Sequence, residues 1–459
     1  MLTPSRLLPS LLLVAAAVLG APAAAGADTA VPGEVVVRYV RGVDPGDRAA
    51  VHRQTGVGHA RTFAPRTRVL KIRDGESVAQ TLAELRARPE VATAAPNAVA
   101  HISAFIPSDP GSAGTPQGWQ QLQWNFLAGT GVNAPDAWQH LIDARRPGGR
   151  GVIVAVLDTG VAYADRRRFR RSPDFRRSDF VRGFDFVDGD RFPNDENGHG
   201  THVASTIGES TNNGTGVTGL AYGARIMPIR VLDEDGAGDS VDITAGIRYA
   251  VKHGAHVINL SFEFDDGYRQ VSAGEIPDIL AAVRYARRHN VLVVAAAGNQ
   301  SRASVAYPAR YEPVIGVGAV TEHGCRADYS NTGRGIDIVA PGGGADAPDD
   351  PACPQGLPDG RDIYQMTFPW ASAYGAPRTS SSYRRFGLPS GFVGTSMAAP
   401  HVSAIAALTI ASGRLGRRPT PKAVEDRMKA MAVDTGLPGF DEVYGAGRID
   451  AAAATDPAR

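Results

Sequence analysis

Cysteine is scarce in this chain of 459 residues, and neither sign of charge is in clear excess. The two cysteines, Cys325 and Cys353, have no zinc-site spacing and lie in no motif that supports a cysteine nucleophile. In an oxidising compartment they can form one disulfide. With 48 Lys and Arg against 47 Asp and Glu, the charge gives no reason to expect nucleic acid or a membrane surface as a partner.

Long apolar runs are also few. Residues 7–20 form one, Arg6 precedes it, and the small residues Ala-Gly-Ala at 25–27 follow it. This order predicts a secretory signal peptide over residues 1–27. The alternative is a membrane anchor, but the run is short for a bilayer span of about 20 residues. Because no comparable stretch follows, we expect a secreted, extracellular protein without stable membrane association.

Residues 28–105 have the pattern of a small α+β domain. Strands are predicted at 35–40 and 69–72, with a polar helical stretch between them, and a helix at 77–88. The Pro- and Gly-rich residues 107–118 that follow predict an exposed linker.

From about residue 119, apolar strands alternate with helices. This alternation predicts an α/β fold, a doubly wound and mostly parallel sheet with helices on both faces. In such sheets ligands bind at the carboxyl ends of the strands. The predicted strands are 152–157, 226–232, 257–260, 291–296 and 314–320, and the helices include 241–253 and 276–289.

Three residues together indicate nucleophilic catalysis. Asp158 directly follows a predicted strand, His199 stands between two glycines, and Ser396 opens a predicted helix. Singly, each has an ordinary explanation as a turn or cap residue. Together they supply a nucleophile, a base near neutral pH, and a carboxylate that orients the base.

The three surrounding runs, Asp-Thr-Gly, His-Gly-Thr-His and Gly-Thr-Ser-Met-Ala-Ala-Pro-His, resemble the signature motifs of the subtilisin-like serine proteases. The resemblance covers residues 119–453. It implies a serine endopeptidase that forms an acyl-enzyme on Ser396 and is made as an autoprocessed precursor. It also implies that Asn299, after a predicted strand, donates its amide to the oxyanion with the Ser396 N–H. His202 and His401 are predicted to be structural.

The resemblance also implies a substrate channel along residues 258–261, where substrate backbone adds as a strand. The run Phe262-Glu263-Phe264 departs from the family, which has two glycines after its Ser-Leu pair. We expect an open, apolar primary pocket that prefers Phe, Leu, Tyr or Met, although the carboxylate of Glu263 could favour basic residues. Residues 342–393 are predicted to be an inserted surface loop. The expected pocket walls are Ser261, Phe262, Glu263, Ala296, Ala297 and Gly298, with Ala306 near the floor.

Two calcium sites are implied, and no organic cofactor. The first resembles a loop of thermitase-like members, whose crowded carboxylates need a cation. The second resembles the family's tight site. The alternative for the first is a solvated acidic loop. The first would use Asp185, Asp188, Asp190, Asn194 and the carbonyl of Phe192. The second would use Asn213, Gln123, Asp174 and the carbonyls of Thr211, Thr215 and Val217.

The organisation predicted is a signal peptide, a propeptide at 28–105 that assists folding and inhibits the enzyme, and a catalytic domain at 106–459, which acts on proteins or peptides as a monomer. Cleavage is expected between residues 101 and 108. The alternative is an N-terminal domain kept for life. Two other functions stay open, peptide ligation or cyclisation on the same acyl-enzyme and an inactive homologue used for binding. The resemblance also leaves a Cys325–Cys353 disulfide as an expectation.

Overall fold

The computed structural model describes residues 30–73, 77–98, 105–264, 269–350, 353–354, 356–371 and 382–458, so the predicted signal peptide lies outside the described residues. The chain divides into two compact units, Met1–Ser103 and Ala104–Arg459.

The first unit is an antiparallel sheet with two helices. Its core is formed by Val35, Val37, Tyr39, Leu70 and Leu85. Strands β2 and β4 were not predicted from the sequence, because β2 is largely exposed and β4 is rich in alanine. The sheet order is β2-β3-β1-β4. The elements are β1 (Ala30–Tyr39), α1 (Pro45–Gln54), β2 (Val57–Ala64), β3 (Thr67–Ile72), α2 (Val78–Arg86) and β4 (Val91–Ala98).

The second unit alternates strands and helices along most of its length. Its elements are α3 (Ala134–Asp143), β5 (Ile153–Asp158), β6 (Phe184–Asp185), α4 (His199–Gly208), β7 (Arg225–Arg230), α5 (Ser240–Lys252), β8 (Val257–Leu260), α6 (Pro277–Arg288), β9 (Leu292–Ala296), β10 (Val314–Val320), β11 (Ile338–Pro341), α7 (Thr395–Ser412), α8 (Pro421–Ala430) and α9 (Ala451–Thr455).

Its seven strands pair in parallel in the order β11-β10-β9-β8-β5-β7-β6. Because side chains alternate along a strand, Val154 and Val156 of β5 pack with helices α4 and α7, while Ala155 and Leu157 pack with α5 and α6. Apolar cores therefore lie on both faces of the sheet, which confirms the predicted doubly wound fold.

The predicted exposed linker is wrong for its first residues. Pro107 and Asp109 are buried, and the indole of Trp119 donates to the Pro107 carbonyl at 2.8 Å. Residues 112–117 are exposed, as predicted. A buried aspartate needs hydrogen-bond donors, so this segment is part of the second unit's packed structure.

The prediction that residues 342–393 form a surface loop is also wrong for part of this segment. Residues 365–368 are buried. The Ser205 hydroxyl of α4 donates to the Met366 carbonyl at 3.0 Å, and the Met366 N–H donates to Glu209 at 3.0 Å. The predicted disulfide between Cys325 and Cys353 is present and ties this segment to the loop after β10. Within the described residues, no helix has the length and apolar character needed to cross a bilayer.

Candidate active site

Three predicted site residues follow neighbouring strands of the parallel sheet. Asp158 ends β5, Ser261 follows β8, and Asn299 lies three residues after β9. Strands β5, β8 and β9 are adjacent in the sheet. Since the carboxyl ends of parallel strands share one edge, the fold brings these residues to the same side of the molecule.

Asp158 and His199 are in direct contact. The Nδ1 of His199 lies 2.7 Å from Oδ1 of Asp158, which also accepts the Thr159 N–H at 2.8 Å. Asp158 is fully buried. A side chain at Gly200 would come within 2.2 Å of the Gly160 carbonyl oxygen, so glycine is needed for helix α4 to approach the end of β5 this closely.

The environment of His199 favours its protonated form. Burial lowers the pKa of the imidazole, but the charge and hydrogen bond of Asp158 and the charge of Asp195 outweigh it, and the pKa is raised above 6.5. A carboxylate on Nδ1 leaves Nε2 as the nitrogen that can exchange a proton with a nucleophile.

The other two nearby histidines are held neutral by burial. The pKa of His202 is lowered to about 3, and its ring stacks on Phe392 with centroids 4.0 Å apart. The pKa of His401 is lowered to about 4, and its Nε2 lies 2.8 Å from the Asn125 amide nitrogen. Both therefore have structural environments, as the sequence predicted.

Ser396 is the second residue of helix α7 and is bound to the end of β8. Its hydroxyl donates to the Ser261 carbonyl at 3.0 Å, and the Ser261 hydroxyl donates to the Ser396 carbonyl at 2.8 Å. The N-cap Gly394 has φ of 150°. These two bonds fix the serine at the sheet edge that carries Asp158.

The side chain of Asn299 is oriented by the start of α7. Its Oδ1 accepts the N–H and the hydroxyl of Thr395 at 2.8 and 2.9 Å, which leaves its Nδ2 free to donate elsewhere. A Cβ placed on Gly394 would lie 3.7 Å from the Ser396 nitrogen and 3.8 Å from Asn299 Nδ2. Both donors thus border one small space that glycine keeps open.

Polar groups lie at the predicted pocket wall, where apolar groups were expected. The side chains of Ala296 and Ala297 are fully buried in the cores, and that of Ala306 is fully buried as well. The groups nearest to where a side chain on Gly298 would lie are polar, namely the Asn331 amide, Gln300 and Glu263. The carboxylate of Glu263 accepts from Gln300 Nε2 at 2.5 Å, and the ring of Phe262 packs edge-on against Phe264. The wall at Gly298 is therefore polar.

An arginine side chain from strand β7 neutralises the first predicted calcium loop. The buried guanidinium of Arg230 lies 3.1 Å from the Asp185 carboxylate and 3.0 Å from that of Asp188. The repulsion that predicted a metal is thus balanced by an arginine. The other expected calcium ligands of this loop form hydrogen bonds within the protein. Asp190 accepts the Phe192 N–H, the Phe192 carbonyl accepts the Asn194 N–H, and the Asn194 amide donates to Ala164.

At the second predicted site, Asp174 lies against the loop 211–217. It accepts from the Asn213 amide at 2.7 Å and from the Val217 N–H at 3.0 Å, whereas the Thr215 N–H donates to the Asn213 side chain. Burial, together with the charges of nearby carboxylates, raises the pKa of Asp174 to about 8 although these hydrogen bonds lower it. Thr211 belongs to the same loop.

Gln123 is placed differently from the prediction. Its side chain bonds the N–H and carbonyl of Thr218 and the side chain of Gln365. Instead of Gln123, the buried Asp109 contacts the loop 211–217. It accepts the backbone N–H groups of Asn212 and Asn213. Among the described residues, no group of three or more His, Cys, Asp or Glu is arranged to hold a metal ion.

Among the buried charged residues that sequence reasoning missed, three lie at the predicted sites. Asp109 was hidden by the linker-like composition around it. Arg230 could have been found from the sequence, because a charged residue at the end of an apolar strand needs an oppositely charged partner. Asp195 could also have been found, since an aspartate shortly before a helix often accepts backbone N–H groups. It is fully buried, four residues before His199.

Comparison with known families gives two matches. Residues 149–447 match the model of the subtilase family. Residues 16–97 match that of the fervidolysin N-terminal prodomain. The first match contains all four predicted catalytic residues, and the second spans the described part of the first unit up to residue 97.

Several curated proteins are similar over much of the chain. A thermophilic serine proteinase from a Bacillus species is 33% identical, over 84% of this chain and 79% of its own. Subtilisin BL of Lederbergia lenta is 36% identical, over 67% of this chain and 91% of its own. M-protease of Shouchella clausii is 36% identical over 67% of this chain, and the match spans 65% of that protein.

Among solved structures, a protease from Pseudoalteromonas arctica is 30% identical. It has a TM-score of 0.58 and covers 77% of this chain and 100% of its own.

Proposed function

Because the chain belongs to the subtilase family of serine proteases and carries an N-terminal prodomain, we propose that it is a secreted endopeptidase, made as a precursor, that hydrolyses peptide bonds with Asp158, His199 and Ser396. The observation that carries the assignment of residues is the 2.7 Å hydrogen bond between His199 and Asp158 at the sheet edge to which Ser396 is fixed.

The proposed chemistry gives each of these residues a role, and it requires the Ser396 hydroxyl to turn from the Ser261 carbonyl to Nε2 of His199. Ser396 Oγ attacks the carbonyl carbon of the scissile bond while Nε2 of His199 takes its proton. Asp158 holds the imidazole and stabilises the imidazolium. The developing oxyanion receives hydrogen bonds from the Ser396 N–H and Asn299 Nδ2. His199 then protonates the leaving amine, and water releases the acyl group by the same steps in reverse.

Replacement of the nucleophile tests this proposal. Ser396→Ala should abolish hydrolysis of casein and of small peptides and should leave uncleaved precursor. His199→Ala and Asp158→Asn should be nearly as severe, because the three residues act as a unit. Normal turnover by Ser396→Ala would overturn the proposal.

The proposed precursor consists of a signal peptide at 1–27, a propeptide at 28–105 and a catalytic domain at 106–459. The prodomain match supports the propeptide, which we propose inhibits the enzyme until it is cut off between residues 101 and 108. Peptide mapping of secreted protein tests this, since an active enzyme that begins at Asp28 would instead indicate a permanent N-terminal domain. We also propose that the mature enzyme is a monomer.

For the substrate, we propose a pocket beside Gly298 that takes large apolar side chains and in which Glu263 and Gln300 form a polar wall. The 2.5 Å bond between these two side chains supports a fixed position for the carboxylate. The predicted channel at residues 258–261 is shifted here, because residues 258–260 of β8 are already paired with β5 and β9, and substrate backbone would pair with residues 261–263 as an added strand.

Members of this family commonly bind calcium, and we propose one site at loop 211–217. Two buried carboxylates, Asp109 and Asp174, meet this loop, and side chain and carbonyl oxygens are the ligands that calcium prefers. A Cβ on Gly216 would lie 2.2 Å from Asp174, so the loop is shaped for close approach to the carboxylate. Calcium there would neutralise the two carboxylates and stabilise the fold.

A further inference from the structure

Asp195 is the most heavily hydrogen-bonded carboxylate near His199. It is fully buried, and it accepts five hydrogen bonds of 2.6–2.9 Å. A buried charge is costly unless it is satisfied in this way. The donors are the backbone N–H groups of Asn197, Gly198 and Thr201 and the hydroxyls of Thr159 and Thr201.

One set of these bonds holds the start of helix α4. The N-cap residue Gly198 has no side chain to cap the helix, and its N–H and that of Thr201 donate to Asp195 instead. His199 is the first residue of this helix. Asp195 therefore fixes the backbone from which the imidazole extends.

Another of these bonds leads, through Thr159, to the aspartate of the triad. The Thr159 hydroxyl donates to Asp195 at 2.9 Å and accepts the Gly200 N–H at 3.0 Å, while the Thr159 N–H donates to Asp158 at 2.8 Å. Asp195 and Thr159 thus connect the backbone of His199 with the carboxylate that orients its ring.

The bonding pattern also favours the ionised form of Asp195. Backbone N–H groups can only donate. The hydroxyls of Thr159 and Thr201 accept the N–H groups of Gly200 and Ala162, and each donates to Asp195. Burial raises the pKa of Asp195 although the hydrogen bonds from Thr201, Gly198 and Asn197 lower it, and because all five partners donate, the geometry favours the carboxylate over the carboxylic acid.

Several titratable groups surround His199. Asp158 contacts it from the end of β5, Asp195 acts from the loop before α4, and His202 lies one turn along the helix. Glu196 is paired with Arg168 at 2.6 Å. The segment packed against Gly198 presents the uncharged groups of Thr367, Phe368 and Ala371.

We propose that Asp195 is a positioning residue for the triad: its ionised carboxylate locks the first turn of α4 to Thr159, and so holds His199 in register with Asp158 and stabilises the imidazolium. The inference rests on the proposed protease function. It adds to the triad a second buried negative charge that does not touch the substrate.

The main test is Asp195→Asn, with Glu196→Gln as the matched control at the next residue. Asp195→Asn should lower kcat about 10- to 100-fold, since small misplacements of catalytic groups have effects of this size. KM should stay within about twofold, because the substrate is not contacted. Loss of the negative charge disfavours the imidazolium, so the acid limb of the kcat profile should move to lower pH. Glu196→Gln should change none of these.

A second pair of variants tests the Thr159 hydroxyl, which donates to Asp195 and accepts the Gly200 N–H. Thr159→Val deletes the hydroxyl and should lower kcat, whereas Thr159→Ser keeps it and should retain parental kcat. These variants decide the matter if Asp195→Asn does not fold.

A third arm is independent of activity. In the Ser396→Ala precursor, NMR titration of the His199 ring should give a lower pKa with Asp195→Asn than without it. If unmodified chain fails to hydrolyse peptides, the proposed function fails, and this arm still tests the role of Asp195. Unchanged kcat, acid limb and ring titration in folded Asp195→Asn, or an effect confined to KM, would overturn the inference.

Discussion

His199 is subject to two opposing effects, burial and the negative charges around it. Burial disfavours the imidazolium, while Asp158 and Asp195 favour it, and the net effect is a raised pKa. A base must be neutral to accept a proton from the nucleophile. If His199 is the base, as proposed, the balance of these effects sets the pH above which the enzyme is active.

We predict that the acid limb of kcat/KM has its midpoint above pH 6.5, the ordinary pKa of histidine. Activity should be lost as the pH falls through the raised pKa, because His199 becomes protonated. Hydrolysis rates of a small peptide substrate between pH 5 and 9 measure this. A midpoint at or below 6.5 would mean that burial outweighs the two carboxylates.

Glu263 should affect substrate choice through its charge. We predict that Glu263→Gln raises kcat/KM for Phe or Leu relative to Arg or Lys before the cut by roughly fivefold, equivalent to about 1 kcal/mol of a charge interaction near the surface. Glu275→Gln, which removes an exposed carboxylate paired with Arg269, is the control. An unchanged ratio in a peptide library would show that Glu263 does not face the substrate side chain.

Helix α4 links the active site to the inserted segment 342–393. The Thr367 hydroxyl donates to the Gly198 carbonyl at 2.6 Å, and the His202 Nε2 lies 2.8 Å from the Ile363 carbonyl. The insertion therefore packs along the helix that begins with the proposed catalytic base, and this packing explains why some of its residues are buried.

The charged end of strand β7 should be important for stability. Arg230→Met leaves the buried Asp185 without its cation, and the loss of one partner of a buried pair costs about 3–5 kcal/mol. Urea unfolding of the Ser396→Ala precursor measures this. Arg225→Met, at the exposed start of the same strand, is the control and should have little effect.

Adding Asp185→Asn to Arg230→Met should recover part of the loss, because the unpaired charge is then removed. If Arg230→Met alone is as stable as the parent, the arginine does not balance this acidic loop, and the first calcium prediction regains its basis.

At the scale of the whole molecule, the described residues form a small unit with an antiparallel sheet and a large unit with a parallel one. The family matches assign the first to a prodomain and the second to the subtilase domain. A compact N-terminal prodomain supports synthesis as a precursor.

Calcium should raise the stability of the catalytic unit by mass action. A site on the folded state alone contributes about 2.7 kcal/mol at a calcium concentration of one hundred times Kd. We predict that EDTA lowers the Tm and speeds self-digestion of the active enzyme, and that added calcium reverses both.

Two variants in the Ser396→Ala background locate the ion. Asp109→Asn should abolish the effect of calcium on the Tm. Asp190→Asn, in the acidic loop that Arg230 neutralises, should retain it. No response to EDTA in the parent, with no metal retained after dialysis, would refute the calcium proposal and leave the triad unaffected.

The sequence by itself determined the α/β class and the four catalytic candidates, because these depend on local signals, and it determined the cysteine pair because the chain has two cysteines. Apolar strands that are buried on both faces are visible as runs, and Asp158, His199 and Ser396 lie in short motifs whose order and chemistry fit one reaction. Strands β2 and β4 lacked such signals, since exposure and alanine content hide the pattern of a strand.

Tertiary structure decided which charges meet. Arg230 lies 45 residues from Asp185 in sequence, and Asp109 lies 104 from Asn213, so no local pattern pairs them. The same holds for Asp195, whose bond to Thr159 spans 36 residues. Burial and hydrogen bonding of a charge are properties of the folded chain, because they depend on neighbours that only the fold supplies.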